Sequence, residues 1–286
     1  MFNSKKVNEL ILSSLVTDSY CLGTHWVYDE TQLKNAPVDY NNLNAPMAMW
    51  HKGKSAGDFT HYGDQTQWLY EYISENDKFD AKEFLEFWAL KMASYNGYID
   101  GASRNTLENI KNNVEPSGSQ SSDLSIVGRI APLLLVSKTE QEFVQNVDDF
   151  ISLTHNSQLA KNAGKFFAKV IVDRFKGLSV IESLEKNKDD FDSQIQGFVN
   201  QGIESKNRVT FDVIRDFGPA CDIAGGFAGV IHLLAKYDNL KDMLVENAKV
   251  GGDSSARAMI ASIVFMIDKP ISQIPSSWLN IKVKIG

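Results

Sequence analysis

The sequence predicts an all-α protein built as a single domain over residues 1–286, and three observations carry that prediction. Apolar residues recur at i, i+3, i+4 and i+7 through most of the chain, the period of a helix with one face in a core. Alternating strand patterns are scarce, and no two of them are joined by a convincing hairpin turn. Hydrophobic residues make up 43% of the chain and aromatic residues 10%, enough for a sizeable core and too much for a disordered chain.

Val7, Leu10, Ile11, Ser14 and Leu15 mark one face of a first helix. Asp80 is the expected N-cap of a later one carrying Phe84, Phe87, Trp88 and Met92, because an Asp before the first turn accepts from unpaired backbone N–H groups. Phe166, Phe167, Val170, Ile171 and Phe175 form another stripe, and Gly177 stands where a left-handed C-terminal cap belongs. Ile223 to Leu234 and Ala256 to Ile267 are apolar on nearly every side, the pattern of helices buried at the centre. Residues 35–63 and 112–128 read as irregular but contain aromatic and apolar side chains, so they are not flexible linkers.

A formal net charge of -7 excludes a general binder of nucleic-acid backbones. Cys21 and Cys221 give no disulfide framework, and neither has the His or Lys neighbour of a thiolate nucleophile. No uninterrupted apolar run is long enough to span a membrane, and the N-terminal residues carry no clear cleavage signal. A cytoplasmic protein is expected.

Two segments stand out: Tyr62-Gly63-Asp64-Gln65-Thr66 and Gly251-Gly252-Asp253-Ser254-Ser255-Ala256-Arg257. Each sets one Asp beside glycine and small polar side chains at the start of a helical pattern. Helix capping alone accounts for either Asp. Together, two carboxylates surrounded only by oxygen donors suit a hard cation such as Mg²⁺ or Mn²⁺. Glycine at 63, 251 and 252 removes side chains where something must approach the backbone. His25, in a dense polar and aromatic run from Thr17 to Asp29, suits either a ligand hydrogen bond or a buried carbonyl. The loop Ser117-Gly118-Ser119 to Asp123 and on to Gly128-Arg129 can offer backbone N–H groups to an anion, with Arg129 as a phosphate clamp or an ion-pair partner of Asp123. Asp100 precedes another helix, and Thr154-His155 sits where one ends.

The order of these segments resembles the ADP-ribosylglycohydrolase family across almost the whole chain. The family's Thr-Asp-Asp-Thr run is similar to Gly63-Asp64-Gln65-Thr66, and its Gly-Gly-Asp-Thr-Asp-Thr run to Gly251-Gly252-Asp253-Ser254-Ser255-Ala256. Its middle loop ends as Gly128-Arg129-Ile130-Ala131-Pro132 does, and its later Thr-His matches Thr154-His155. The resemblance implies an orthogonal helical bundle whose central cleft binds ADP-ribose, with two divalent ions, usually Mg²⁺ or Mn²⁺, at its mouth. It implies Asp64, Asp253, Gln65 and Ser255 as what remains of the metal ligands, with only two of them charged. It further implies Asp64, Asp253 and Asp100 as the catalytic groups. His25, Ser117, Gly118, Ser119, Asp123, Gly128, Arg129, His155 and Arg257 would hold a small-molecule or ADP-ribosylated substrate. The implied activity is hydrolysis of a glycosidic bond to ADP-ribose or a related ribosyl compound. The alternative is an inactive nucleotide-binding or structural member, with Arg257 filling the space of a lost cation.

Overall fold

A computed structural model of the chain describes residues 2–283 and 285. Thirteen α-helices follow one another among the described residues: α1 (Ser4–Cys21), α2 (Glu30–Lys34), α3 (His61–Asn76), α4 (Ala81–Ala93), α5 (Gly101–Lys111), α6 (Glu140–Thr154), α7 (Gln158–Phe175), α8 (Val180–Lys188), α9 (Ser193–Glu204), α10 (Thr210–Phe217), α11 (Ile223–Lys236), α12 (Leu240–Val250) and α13 (Ser254–Phe265). Strand pairing among the described residues is confined to two isolated bridges, Ser119 with His155 and Asp123 with Asp222. The fold is all-α.

Local chemistry sets the ends of these helices. Asn3, Asp29, Thr60, Asp80, Asp100, Ser157 and Ser179 each accept a backbone N–H from the first turn that follows. Thr60, not Asp64, caps α3, and Asp64 lies one turn in, where its charge still faces the positive end of the dipole. Gly177 has φ of +94°, the left-handed geometry expected after α7. The irregular segment 35–63 ends three residues early, because α3 starts at His61.

α13 forms the axis of the molecule: all twelve of its residues are buried. It packs along α1 and meets α7, α11 and α12 on its other sides. Surrounding helices enclose one continuous apolar cluster that draws side chains from Val7 to Trp278. Burial on this scale, at about 25 cal/mol per Å² of apolar surface, is what offsets the chain entropy of so many ordered residues. The first helix and the last are therefore neighbours, and this brings the two Asp segments to one end of the core.

Candidate ligand site

Asp253 caps α13 through Ala256 N–H, at 3.4 Å from Oδ1, and is 1% exposed. The Tyr62 phenol donates to its other oxygen at 3.4 Å, and His25 Nδ1 lies 3.4 Å from Oδ1. Burial, and after it the charge of Asp123, push this carboxyl up to about 8 against the opposing pull of Arg257. His25 Nδ1 accepts the Ser255 N–H at 3.4 Å, which places the ring proton on Nε2. That nitrogen is buried and has no partner.

The glycines before Asp253 are required by the backbone itself. Gly251 and Gly252 have φ of +67° and +56°, and a Cβ on them would stand 2.3 Å from Val27 O and 2.2 Å from Pro219 O. What comes close to them is the chain. Trp26 N–H donates to Gly252 O at 2.7 Å, and Gly252 N–H returns a bond to Val27 O at 2.8 Å. This exchange holds Trp26 at φ +61°, a strained conformation for a bulky residue that costs about 1–3 kcal/mol.

Gly63 is explained in the same way. A Cβ there would lie 2.4 Å from Asp18 Oδ2, so the family's Thr has no room. Asp18 is fully buried on α1 and accepts Thr60 N–H at 2.8 Å and Thr60 Oγ1–H at 2.6 Å. Burial pushes its carboxyl up to about 6 despite these bonds.

Asp64 faces outward instead. Its Oδ2 takes the Lys54 ammonium at 2.5 Å and the Tyr95 hydroxyl at 2.5 Å. Gln65 turns into the core, where its Oε1 accepts from Trp88 Nε1 at 3.0 Å and Arg129 Nη1 at 2.8 Å. Ser255 Oγ donates to the Asp18 carbonyl at 3.3 Å. Among the described residues no three His, Cys, Asp or Glu side chains are gathered as a metal site. The donors present do not fit a two-ion centre: one carboxylate already holds a cation, one is raised toward its neutral acid, and the two neutral oxygens point elsewhere.

The remaining expected residues divide into buried supports and a groove. Arg257 is fully buried and binds Asn247 Oδ1 at 2.9 Å, Gly251 O at 2.7 Å and Pro219 O at 3.3 Å. It makes no ion pair with Asp253, so the cation found on a motif carboxylate is Lys54 and not Arg257. Arg129 is buried over the Tyr62 ring and lies 4.0 Å from Asp100 Oδ2. Asp100 caps α5 and sits 3.4 Å from His61 Nε2. Burial alone would raise its carboxyl, but His61 and Arg129 hold it well below the usual range. His155 Nδ1 meets Thr154 Oγ1 at 2.8 Å, while its buried Nε2 has no partner. Burial lowers this imidazole to about 4.

Ser117, Gly118 and Gly128 are buried in packing roles. A Cβ at Gly118 would meet Ser152 O at 2.0 Å, and one at Gly128 would meet Met259 Cβ at 2.8 Å. Ser119 is bonded to the Thr154 carbonyl at 2.7 Å. Asp123, by contrast, lines an open groove of ≈ 530 Å³ with Asn105, Gln120, Ser121 and Cys221.

Sequence reasoning missed an aromatic nest around Trp26. Its ring lies 5.3 Å from that of His51, 5.2 Å from His61 and 5.0 Å from Tyr98. His51 Nε2 and His61 Nδ1 are buried without hydrogen bonds, and His61 Nε2 faces Asp100 Oδ2 at 3.4 Å. Unpartnered buried ring nitrogens at this density are uncommon in a finished core. Lys54 and Tyr95 were missed as well. The signal available for them was a basic run, His51-Lys52-Gly53-Lys54, in an otherwise acidic chain.

The profile of the ADP-ribosylglycohydrolase family matches residues 3–281. Crystallin J1A and crystallin J1B of Tripedalia cystophora are each 21% identical over 94% of this chain and 89% of their own length. A solved structure described as an ADP-ribosylglycohydrolase-related protein complex superposes with a TM-score of 0.69 at 14% identity, covering 96% of this chain and 92% of that one. No helix among the described residues is long and apolar enough to cross a membrane. Helix order, the paired Asp segments and the match from end to end agree: the chain belongs to the ADP-ribosylglycohydrolase family.

Proposed function

We propose that this chain is a ligand-binding member of its family that takes a ribosyl compound of the ADP-ribose type and does not hydrolyse it by a two-ion mechanism. The observation that carries the reading is the Lys54–Asp64–Tyr95 cluster. A tethered ammonium and a phenol occupy the carboxylate oxygen on which a divalent ion would depend. Asp253 supports it from the other motif, because a carboxyl pushed up to about 8 is largely the neutral acid at pH 7 and a poor ligand for a hard cation. The groove beside Asp123 supports the ligand class. It is lined by amide, hydroxyl and carboxylate groups and by no Lys or Arg, a surface suited to sugar hydroxyls. The relatives at 21% identity bear the name of crystallins, which accords with a family branch defined by something other than turnover.

Calorimetry tests this directly. ADP-ribose is expected to bind equally well in EDTA and in Mg²⁺ or Mn²⁺, with Asp123→Ala weakening it about tenfold, the loss of one charge-assisted hydrogen bond. Peptides ADP-ribosylated on Arg or Ser are expected to stay intact in either metal. Metal-dependent release would overturn the non-hydrolytic reading, and failure to bind ADP-ribose would overturn the ligand class.

A further inference from the structure

A second and larger cleft, of ≈ 860 Å³, shares no lining residue with the Asp123 groove. Its lining differs in kind from the Asp123 groove. Lys52, Lys54 and Lys91 contribute three ammonium groups, against the single carboxylate of Asp64. Lys54 is shared with Asp64 and Lys91 with Glu71, whereas Lys52 makes no ion pair among the described residues. Trp50, Trp68, Tyr95 and Tyr98 supply aromatic surface, and Trp50 is 53% exposed. His51, 3% exposed, lines the same wall with an unpartnered Nε2. Burial pushes its imidazole down to about 3, so it is neutral at pH 7. Gly53, at φ +93° and with open space around it, lets the lysine-bearing turn adjust.

Ammonium groups, a large exposed indole and an orphaned buried imidazole lining one cleft define one chemistry. The geometry points to a binding site in this cleft for a small phosphate-bearing ligand with a planar ring, a nucleoside di- or triphosphate as the free anion. The phosphates bridge Lys52 and Lys54, the ring stacks on Trp50, and His51 Nε2 meets a phosphate oxygen. Because ammonium groups take the phosphate charge, added Mg²⁺ competes for the ligand and does not assist it. The chain's net charge of -7 confines this attraction to the cleft and disfavours a polyanion.

Tryptophan fluorescence of the full chain, titrated with ATP, inorganic pyrophosphate and adenosine, tests the site. ATP is expected to quench and to bind about tenfold more tightly than pyrophosphate, with adenosine weaker than both. Lys52→Ala is expected to weaken ATP about tenfold, Trp50→Ala to remove most of the quench, and excess Mg²⁺ to weaken binding. Asp123→Ala should leave ATP unaffected, which separates this site from the ribosyl groove. Lys52 and Trp50 are exposed, so circular dichroism and thermal melts of both variants are expected to match the wild type. No ATP binding, or ATP binding that ignores Lys52→Ala and Trp50→Ala, overturns the proposal. Equal affinity for ATP and pyrophosphate overturns the ring contact and with it the ligand class.

Discussion

Asp253 shows what burial does to a motif carboxylate. Its folded value of about 8 exceeds the unfolded value near 3.9, because burial and the Asp123 charge outweigh the Arg257 field. A group raised in this way contributes stability that is fully present below about pH 4 and lost as pH climbs through 8. Asn at this position is neutral throughout and still caps a helix. Asp253→Asn is therefore expected to gain on the wild type as pH rises, its melting temperature moving ahead by several degrees more at pH 9 than at pH 5. Parallel pH profiles for the two proteins would show that the carboxyl ionises freely and that the burial argument fails. Asp18, raised to about 6, titrates in both proteins and cancels from the comparison.

At the scale of the helix, the start of α13 is held by Arg257 more than by any single cap. Its buried guanidinium joins α12 at Asn247, the turn at Gly251 and the approach to α11 at Pro219. Arg257→Met keeps much of the volume and leaves those acceptors unpaired. The expected loss is about 2–4 kcal/mol in urea unfolding, since each buried group left unsatisfied costs about 1–3 kcal/mol. A loss below about 0.5 kcal/mol would mean that the three elements hold without it.

The sequence made α13 legible as a buried helix because its apolar residues leave no polar face, and Asp80, Asp100 and Gly177 were legible as helix punctuation because their chemistry is local. The partners of Asp64 were not. Lys54 reaches it across a turn and Tyr95 from the far end of α4, and no periodicity encodes such a meeting. Nor did the motif glycines declare whether a ligand or the backbone approaches them. At 63, 251 and 252 the close atoms belong to Asp18, Val27 and Pro219.

The molecule as a whole stores several imidazoles in the neutral form. Burial lowers His51 to about 3, and His155 and His232 to about 4, and it holds His25 well below 6.5. Depressed bases contribute stability that is present above about pH 6.5 and lost as pH falls through the folded values. Between pH 5.5 and 4.5 unfolding lets these four take up protons, while Asp18 and Asp253 give up as many as two. The net uptake of about two protons corresponds to roughly 3 kcal/mol per pH unit. Thermal melts are expected to show a steep fall in stability over that interval. A flat profile there would mean that the nest admits water and that its rings already carry charge.

The two-way backbone exchange between the Trp26 turn and Gly252 also has a meaning in time. Its neighbouring contact, Ser255 to His25, spans 230 residues of sequence. At translation rates of about 5–20 residues per second, the second partner is made roughly 10–45 s after the first. Throughout that interval the turn His25-Trp26-Val27 has its local bonds, His25 N–H to Cys21 O and Val27 N–H to Thr24 O, but not those to Gly252 and Ser255. The junction of the Trp26 turn with Gly252 is thus among the last parts of the molecule to come into being, and a chain arrested before Gly252 leaves the ribosome with most of its helices and without that exchange.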